Sequence, residues 1–212
     1  MTGGLRQASE GVALLTISWA ESVASSASDS RPLRLTVLHV IVHAEAEMKK
    51  SNETTEVLLH LVAQAYNQHA WHGPNLRSSL RGLTAEEAAW TPGPGRHSIW
   101  ELALHCAYWK YVVIRKLEGR RRGTFARSPS NFPHLPQPAD ATAWKADLAF
   151  LDLTHRELLE SIRKTLKRPA KEASAREKIQ HLIEGVACHD VYHAGQIRLL
   201  IRLRASSLPS YC

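Results

Sequence analysis

The sequence predicts an all-α protein built as a four-helix bundle, with a poorly attached N-terminal extension. Three observations carry this. From residue 52 onward, apolar residues recur at steps of three and four, the period of a helix. Capping boxes stand where periodic stretches begin: Thr84 with Glu87, Ser98 with Glu101, and Ser174 with Glu177. No segment alternates convincingly, as a half-buried strand would.

The elements follow in order. Asn52 can cap a first helix carrying Val57, Leu58, Leu61, Val62, Ala65 and Tyr66. Gly73-Pro74 interrupts or bends it, and Pro74 suits the first turn of a continuation over residues 75–81, which Gly82 ends. Thr84 opens one short turn of helix, and the TPGPG of residues 91–95 is a loop. Ser98 opens a long helix that ends near Gly119. Residues 119–141 hold four prolines and no apolar period, and so form a long connection. A third long helix runs from about Thr142 to Lys167 on the stripe Trp144, Leu148, Leu151, His155, Leu158, Ile162 and Leu166, and Pro169 stops it. The last helix runs from Ser174 to about Arg204.

The bundle therefore spans residues 52–205, with a tail over 206–212 and an extension over 1–51. SVASSASDSR (residues 22–31) is turn-prone, and VALLTISWA (12–20) is short and apolar. Glu10 and Glu21 flank that apolar stretch and no clean cleavage box follows, which speaks against a signal peptide. LTVLHVIVHAEAE (35–47) reads as a short helix or strand. MKKSNETTE, from Met48, reads as an ordinary start, so the natural protein is expected to begin at or near Met48.

Composition narrows the function classes. No apolar run reaches about 18 residues, so no membrane span is expected. Cys106, Cys188 and Cys212 are an odd number and far apart, which fits reduced thiols in a cytoplasmic protein. Cys106 and Cys188 each adjoin a histidine but point about 100° away from it, as core filler does. The formal charge is +7. Residues 1–52 hold five basic and five acidic residues, so the excess lies in 53–212, with 22 basic and 15 acidic. A basic balance permits nucleic-acid binding. Arg120–Arg122 is the only tight run and no nucleic-acid-binding motif accompanies it, so a solvated surface accounts for the charge. Trp71, Trp100, Trp109 and Trp144 read as core.

The chemistry centres on histidine, of which the chain has 12. His189 and His193 are four apart, on one face of the last helix. They fall on the stripe Leu182, Val186, His189, His193, Ile197 and Leu200, a setting that a second pair, His39 and His43, lacks. Two adjacent imidazoles buried without partners are costly, whereas neutral imidazole is a metal ligand. His105 supplies a third nitrogen from a facing helix, on the stripe Ile99, Leu102, His105, Trp109 and Val112. Three histidines leave coordination positions open, as catalytic zinc sites do. Gly195 thins the helix beside the site, and Gln196 and Tyr192 can hydrogen-bond nearby groups. His155 can line the cavity or be a satisfied core histidine. His72 and His97 flank loops that could form the mouth. Asp190 points away from the metal, either as an exposed acid or to orient a group in another helix.

SIWELALHCAYW (98–109), the LEG of 117–119, WHG (71–73) and GVACHDVYHAGQIRLL (185–200) together resemble the DinB-like family of metal-binding four-helix bundles. The resemblance covers about residues 53–204. It implies an up-down-down-up bundle, often a homodimer, with zinc or nickel on His105, His189 and His193. It also implies a relation to thiol S-transferases that use bacillithiol or mycothiol. The expected function is thus a metal-dependent thiol S-transferase or hydrolase. The metal would activate a low-molecular-weight thiol, or water, against a small electrophilic substrate. His155 and Tyr192 are the candidates for proton handling. The alternatives are a metal-binding stress-response protein without turnover and, with less support, a DNA-associated protein.

Overall fold

The computed structural model describes residues 31–121, 123–168 and 172–207, with the side chains of residues 31–38 left out. Among these residues there are six helices and no strand: α1 (Arg31–Tyr66), α2 (Leu76–Ser79), α3 (Ala85–Ala89), α4 (Ile99–Leu117), α5 (Ala141–Leu166) and α6 (Ala173–Ser207). The chain divides into two units, Met1–Glu53 and Thr54–Cys212. Of the first, the structure describes one helical stretch, largely exposed, on which His39 and His43 lie with ring centroids 6.2 Å apart. The readings of residues 12–20 and 22–30, Arg122, Pro169 and Cys212 fall outside the described residues.

α1 is longer than the sequence suggests. Residues 35–47 are helical, and Asn52 lies inside the helix rather than at its cap. Val57 is exposed, and the buried stripe is Leu58, Leu59, Val62, Ala65 and Tyr66. The two capping boxes at Thr84 and Ser98 form with both reciprocal bonds in place. The third does not. α6 begins at Ala173, so Ser174 sits in its first turn and its hydroxyl donates to Glu172 at 3.3 Å. α5 is capped instead by Asp140, whose Oδ1 accepts from the Ala143 backbone N–H at 2.8 Å. α4 ends where Gly119 takes a left-handed φ of 64°. The backbone N–H of Arg120 then reaches Arg115 O at 2.9 Å and that of Gly119 reaches Lys116 O at 3.3 Å. This pair of bonds satisfies the last carbonyls of the helix and turns the chain away.

Within residues 54–212 the core has two parts. Leu58, Leu59, Val62, Val113, Ile114, Leu158, Ile162, Ile183 and Val186 fill one, joining the end of α1 to α4, α5 and α6. Trp100 and Trp144 centre the other, with rings 5.0 Å apart. Trp71 and Trp109 depart from the expected core role. Trp71 is 98% exposed and Trp109 stands at the surface, 37% exposed. Cys106 is buried as expected, but Cys188 is exposed.

The connection over residues 118–140 has no helix or strand among its described residues, yet it is tied down. Phe125 enters the core. Arg127 Nη2 donates to Asp147 Oδ1 at 2.6 Å, and Trp100 Nε1 donates to Asp147 Oδ2 at 2.8 Å, so a buried carboxylate of α5 is satisfied by α4 and by the loop together. This loop carries Asn131 and Phe132 to the site described below.

One buried ion pair crosses the core. Lys110 of α4 and Asp190 of α6 are 0% and 1% exposed, and the Lys110 ammonium donates to Asp190 Oδ2. Lys110 Nζ also lies 5.1 Å from the centre of the Tyr66 ring. Asp190 is thus neither an exposed acid nor idle: it orients a lysine of another helix. Burial pushes its carboxyl up, and the lysine opposes that shift. Removing one member strands the other charge in the core. Lys110→Met or Asp190→Leu alone is expected to cost about 3–5 kcal/mol, and the double variant to recover most of the loss. Denaturant unfolding of the three variants checks this.

Candidate metal centre

α4 and α6 pack side by side, and on their facing sides His105, His189 and His193 come together. The ligand-capable atoms of all three lie within 4.8 Å of one another. The close atoms are the Nε2 nitrogens: His189 to His105 at 3.2 Å and His189 to His193 at 3.1 Å. An ion with nitrogen ligands at about 2.0–2.1 Å, tetrahedral or octahedral, separates neighbouring nitrogens by about 2.8–3.4 Å.

The other ring nitrogens set the proton positions. His105 Nδ1 donates to the backbone oxygen of Asn131 at 2.7 Å, and His193 Nδ1 donates to Gln196 Oε1 at 2.7 Å. An oxygen of either kind can only accept here, so the Nδ1 atoms carry the protons and both Nε2 atoms present lone pairs. Gln196 is itself held, because its Nε2 donates to the Tyr192 hydroxyl at 3.0 Å. His189 Nδ1 is buried with no partner among the described residues. One proton on His189 Nε2 could serve only one of its two neighbours. A cation among the three accepts a lone pair from each Nε2, so the donor set fits a divalent metal ion.

The loop also shapes the ring packing. Phe132 lies flat on His105, with centroids 4.1 Å apart and planes 6° apart, and His97 lies flat on the far face of Phe132 at 3.8 Å and 4°. His97 therefore reaches the site as a stacking partner, while His72 is an exposed loop residue. Asn131 and Phe132 escaped the sequence reading, since a connection without period gives no hint of which residues turn inward.

Electrostatics keep the three rings neutral. Burial pushes His189 down to about 3, with His193, His105 and Lys110 adding to the shift. Burial likewise pushes His193 down to about 4 and lowers His105, against the opposing bonds to Gln196 and Asn131. A second group of potential ligands, Cys106, His189 and Asp190, shares His189. It suits a metal less well. Asp190 is engaged by Lys110, and burial pushes the Cys106 thiol well above its ordinary value, so it stays protonated.

The other candidates lie apart. Tyr192 is 63% exposed, and its ring centre is 5.0 Å from that of His193. His155 is buried in α5, stacked on Tyr66 at 3.8 Å, and lines a cleft to which none of the three histidines contributes. A Cβ at Gly195 would meet nothing within 4 Å, so that glycine faces open space rather than the site. Beside His189 an apolar groove of about 270 Å³ runs between α4 and α6, walled by Trp109, Val112, Leu182 and Val186, with Lys116 and His181 also in its lining.

No helix among the described residues is long and apolar enough to cross a membrane. No curated protein and no solved structure matches the chain. A family profile does match, over residues 68–197, a stretch that includes all three histidines and more than half of the chain. The chain belongs to the DinB superfamily.

Proposed function

We propose that this protein is a metal-dependent enzyme that joins a low-molecular-weight thiol, or water, to a small electrophilic molecule. His105, His189 and His193 hold zinc or nickel. The observation that carries the reading is the convergence of three neutral imidazoles, two of them with the Nδ1 proton held by an oxygen, next to an apolar groove with His189 in its wall. When bound, a divalent ion would supply Lewis acidity, lowering the pKa of a thiol or water at the positions three ligands leave open.

The chain supplies the rest. Neutral ligands add no charge, so they do not blunt that acidity. Trp109, Val112, Leu182 and Val186 offer apolar surface for the body of the electrophile. Tyr192, exposed, bonded to Gln196 and with its ring centre 5.0 Å from that of His193, is the proposed group for passing a proton. His155 belongs to the other cleft, so proton handling in this proposal falls to Tyr192. A homodimer, which the family resemblance implies, and a cytoplasmic setting, which the cysteine usage suggests, complete the proposal. Non-catalytic metal storage is the rival, and the open groove beside His189 favours the enzyme over it.

Elemental analysis is expected to find about one divalent ion per chain, lost in His105→Ala and in His193→Ala. Gln196→Leu, which removes only the acceptor behind His193, is expected to weaken the ion roughly 10–100-fold while the helix content is unchanged. Protons compete for the nitrogens only below their lowered pKa values, about 3 for His189, about 4 for His193 and below the ordinary histidine value for His105. Ion affinity is therefore expected to hold as pH falls from about 8 through about 6.5 and to be lost only at more acid pH. A decline centred near 6.5, the value of an ordinary histidine, contradicts that electrostatic reading. Chelation is expected to abolish conjugation of a small thiol to a generic electrophile and hydrolysis of a generic ester, and zinc or nickel to restore the active one. Full activity of the chelated protein in either assay contradicts the reading.

A further inference from the structure

A cleft of about 510 Å³ lies away from the histidine centre. It opens between the end of α1, the α2 turn and α5, and is lined by Tyr66, Asn67, Arg77, Arg81, Asp152, His155 and Arg156. Three of the lining residues are arginines and one is an acid. Arg77 is spoken for, because its Nε meets Asp152 Oδ1 and Oδ2 at 3.0 and 3.2 Å. The same carboxylate accepts the Tyr66 hydroxyl. Arg81 and Arg156 meet no carboxylate among the described residues, so the cleft keeps two uncompensated guanidinium groups.

The inner wall holds a second anomaly. His155 is 2% exposed, and neither of its ring nitrogens has a hydrogen-bond partner among the described residues. A buried imidazole left unsatisfied costs free energy that a ligand can return. Stacking on Tyr66, with planes 18° apart, holds the ring in one orientation. Burial, helped by Lys110 and Arg156, pushes His155 down to about 3, so at neutral pH it is an uncharged ring with one N–H to donate.

We propose that this cleft binds a small molecule through an oxyanion group, a carboxylate or a phosphate, held by Arg81 and Arg156 and receiving a hydrogen bond from His155. The site is separate from the histidine centre and does not depend on the reading of that centre. Guanidinium forks match the paired oxygens of either group. The volume is that of a metabolite-sized ligand.

Calorimetric titration of the full chain with inorganic phosphate and with succinate at low ionic strength tests this, alongside histidine ring nitrogen shifts. The expected result is saturable binding of one anion per chain, weakened by salt, with the His155 ring resonances moving. The double variant Arg81→Gln, Arg156→Gln changes two exposed side chains and is expected to weaken binding about tenfold or more, with the metal content unaltered. Binding is expected to persist in His105→Ala. Tighter binding of phosphate identifies a phosphoryl ligand, and tighter binding of succinate a carboxylate. Non-saturable binding, an undiminished affinity in the double variant, an unmoved His155, or loss of binding in His105→Ala overturns the proposal, the last by assigning the anion to the histidine centre.

Discussion

His105 and His193 each give their Nδ1 proton to a fixed oxygen, and this fixes the direction of the lone pair on Nε2. The rest of the site depends on that directionality. The Asn131 oxygen is available only because the loop over residues 118–140 is anchored by Arg127 on Asp147 and by Phe125 in the core. The Gln196 oxygen is available because Tyr192 takes up the amide nitrogen. Two structurally unrelated segments therefore aim nitrogens at the same point from α4 and α6, and burial keeps those nitrogens unprotonated.

The Lys110–Asp190 pair explains how the two helices hold their rotation. Asp190 follows His189 directly, and Lys110 lies five residues beyond His105, so the ion pair sits next to the imidazole cluster along both helices. An apolar pair in its place would tolerate small rotations of α6. A buried charge pair with a directed hydrogen bond does not, because a rotation separates the charges in a medium that screens them poorly. In this way an ion pair outside the three-histidine set helps to fix where His189 points.

Much of this was legible in the residues. The periodic stripes located α4 and α5 to within a residue or two, two capping boxes marked the starts of α3 and α4, and the stripe positions of His105, His189 and His193 brought them together. What stayed hidden has identifiable causes. Ser174 with Glu177 has the capping pattern, but α6 starts one residue earlier and the pattern goes unused. Asn131 and Phe132 act through a backbone oxygen and a ring face on an aperiodic loop, which no local pattern marks. Lys110 and Asp190 did leave a signal. Ala103, Ala107, Lys110, Ile114 and Leu117 follow steps of four, three, four and three, as do Ile183, Ala187, Asp190, Ala194 and Ile197. Opposite charges in the middle of two such apolar series mark a buried pair, but a lysine or an aspartate is assigned to the surface by default. The stripe read for α6 through Leu182, His189 and Leu200 lies one step to the side of the fully buried one, which leaves His189 half-buried on the wall of the groove.

X-ray absorption at the metal edge tests the central claim most directly, because it counts and identifies the ligand atoms. The account predicts three imidazole nitrogens at about 2.0–2.1 Å, with any further scatterers light atoms from solvent. A sulfur at about 2.3 Å would place the ion on Cys106 with His189 and Asp190 instead, and would contradict the assignment to His105, His189 and His193.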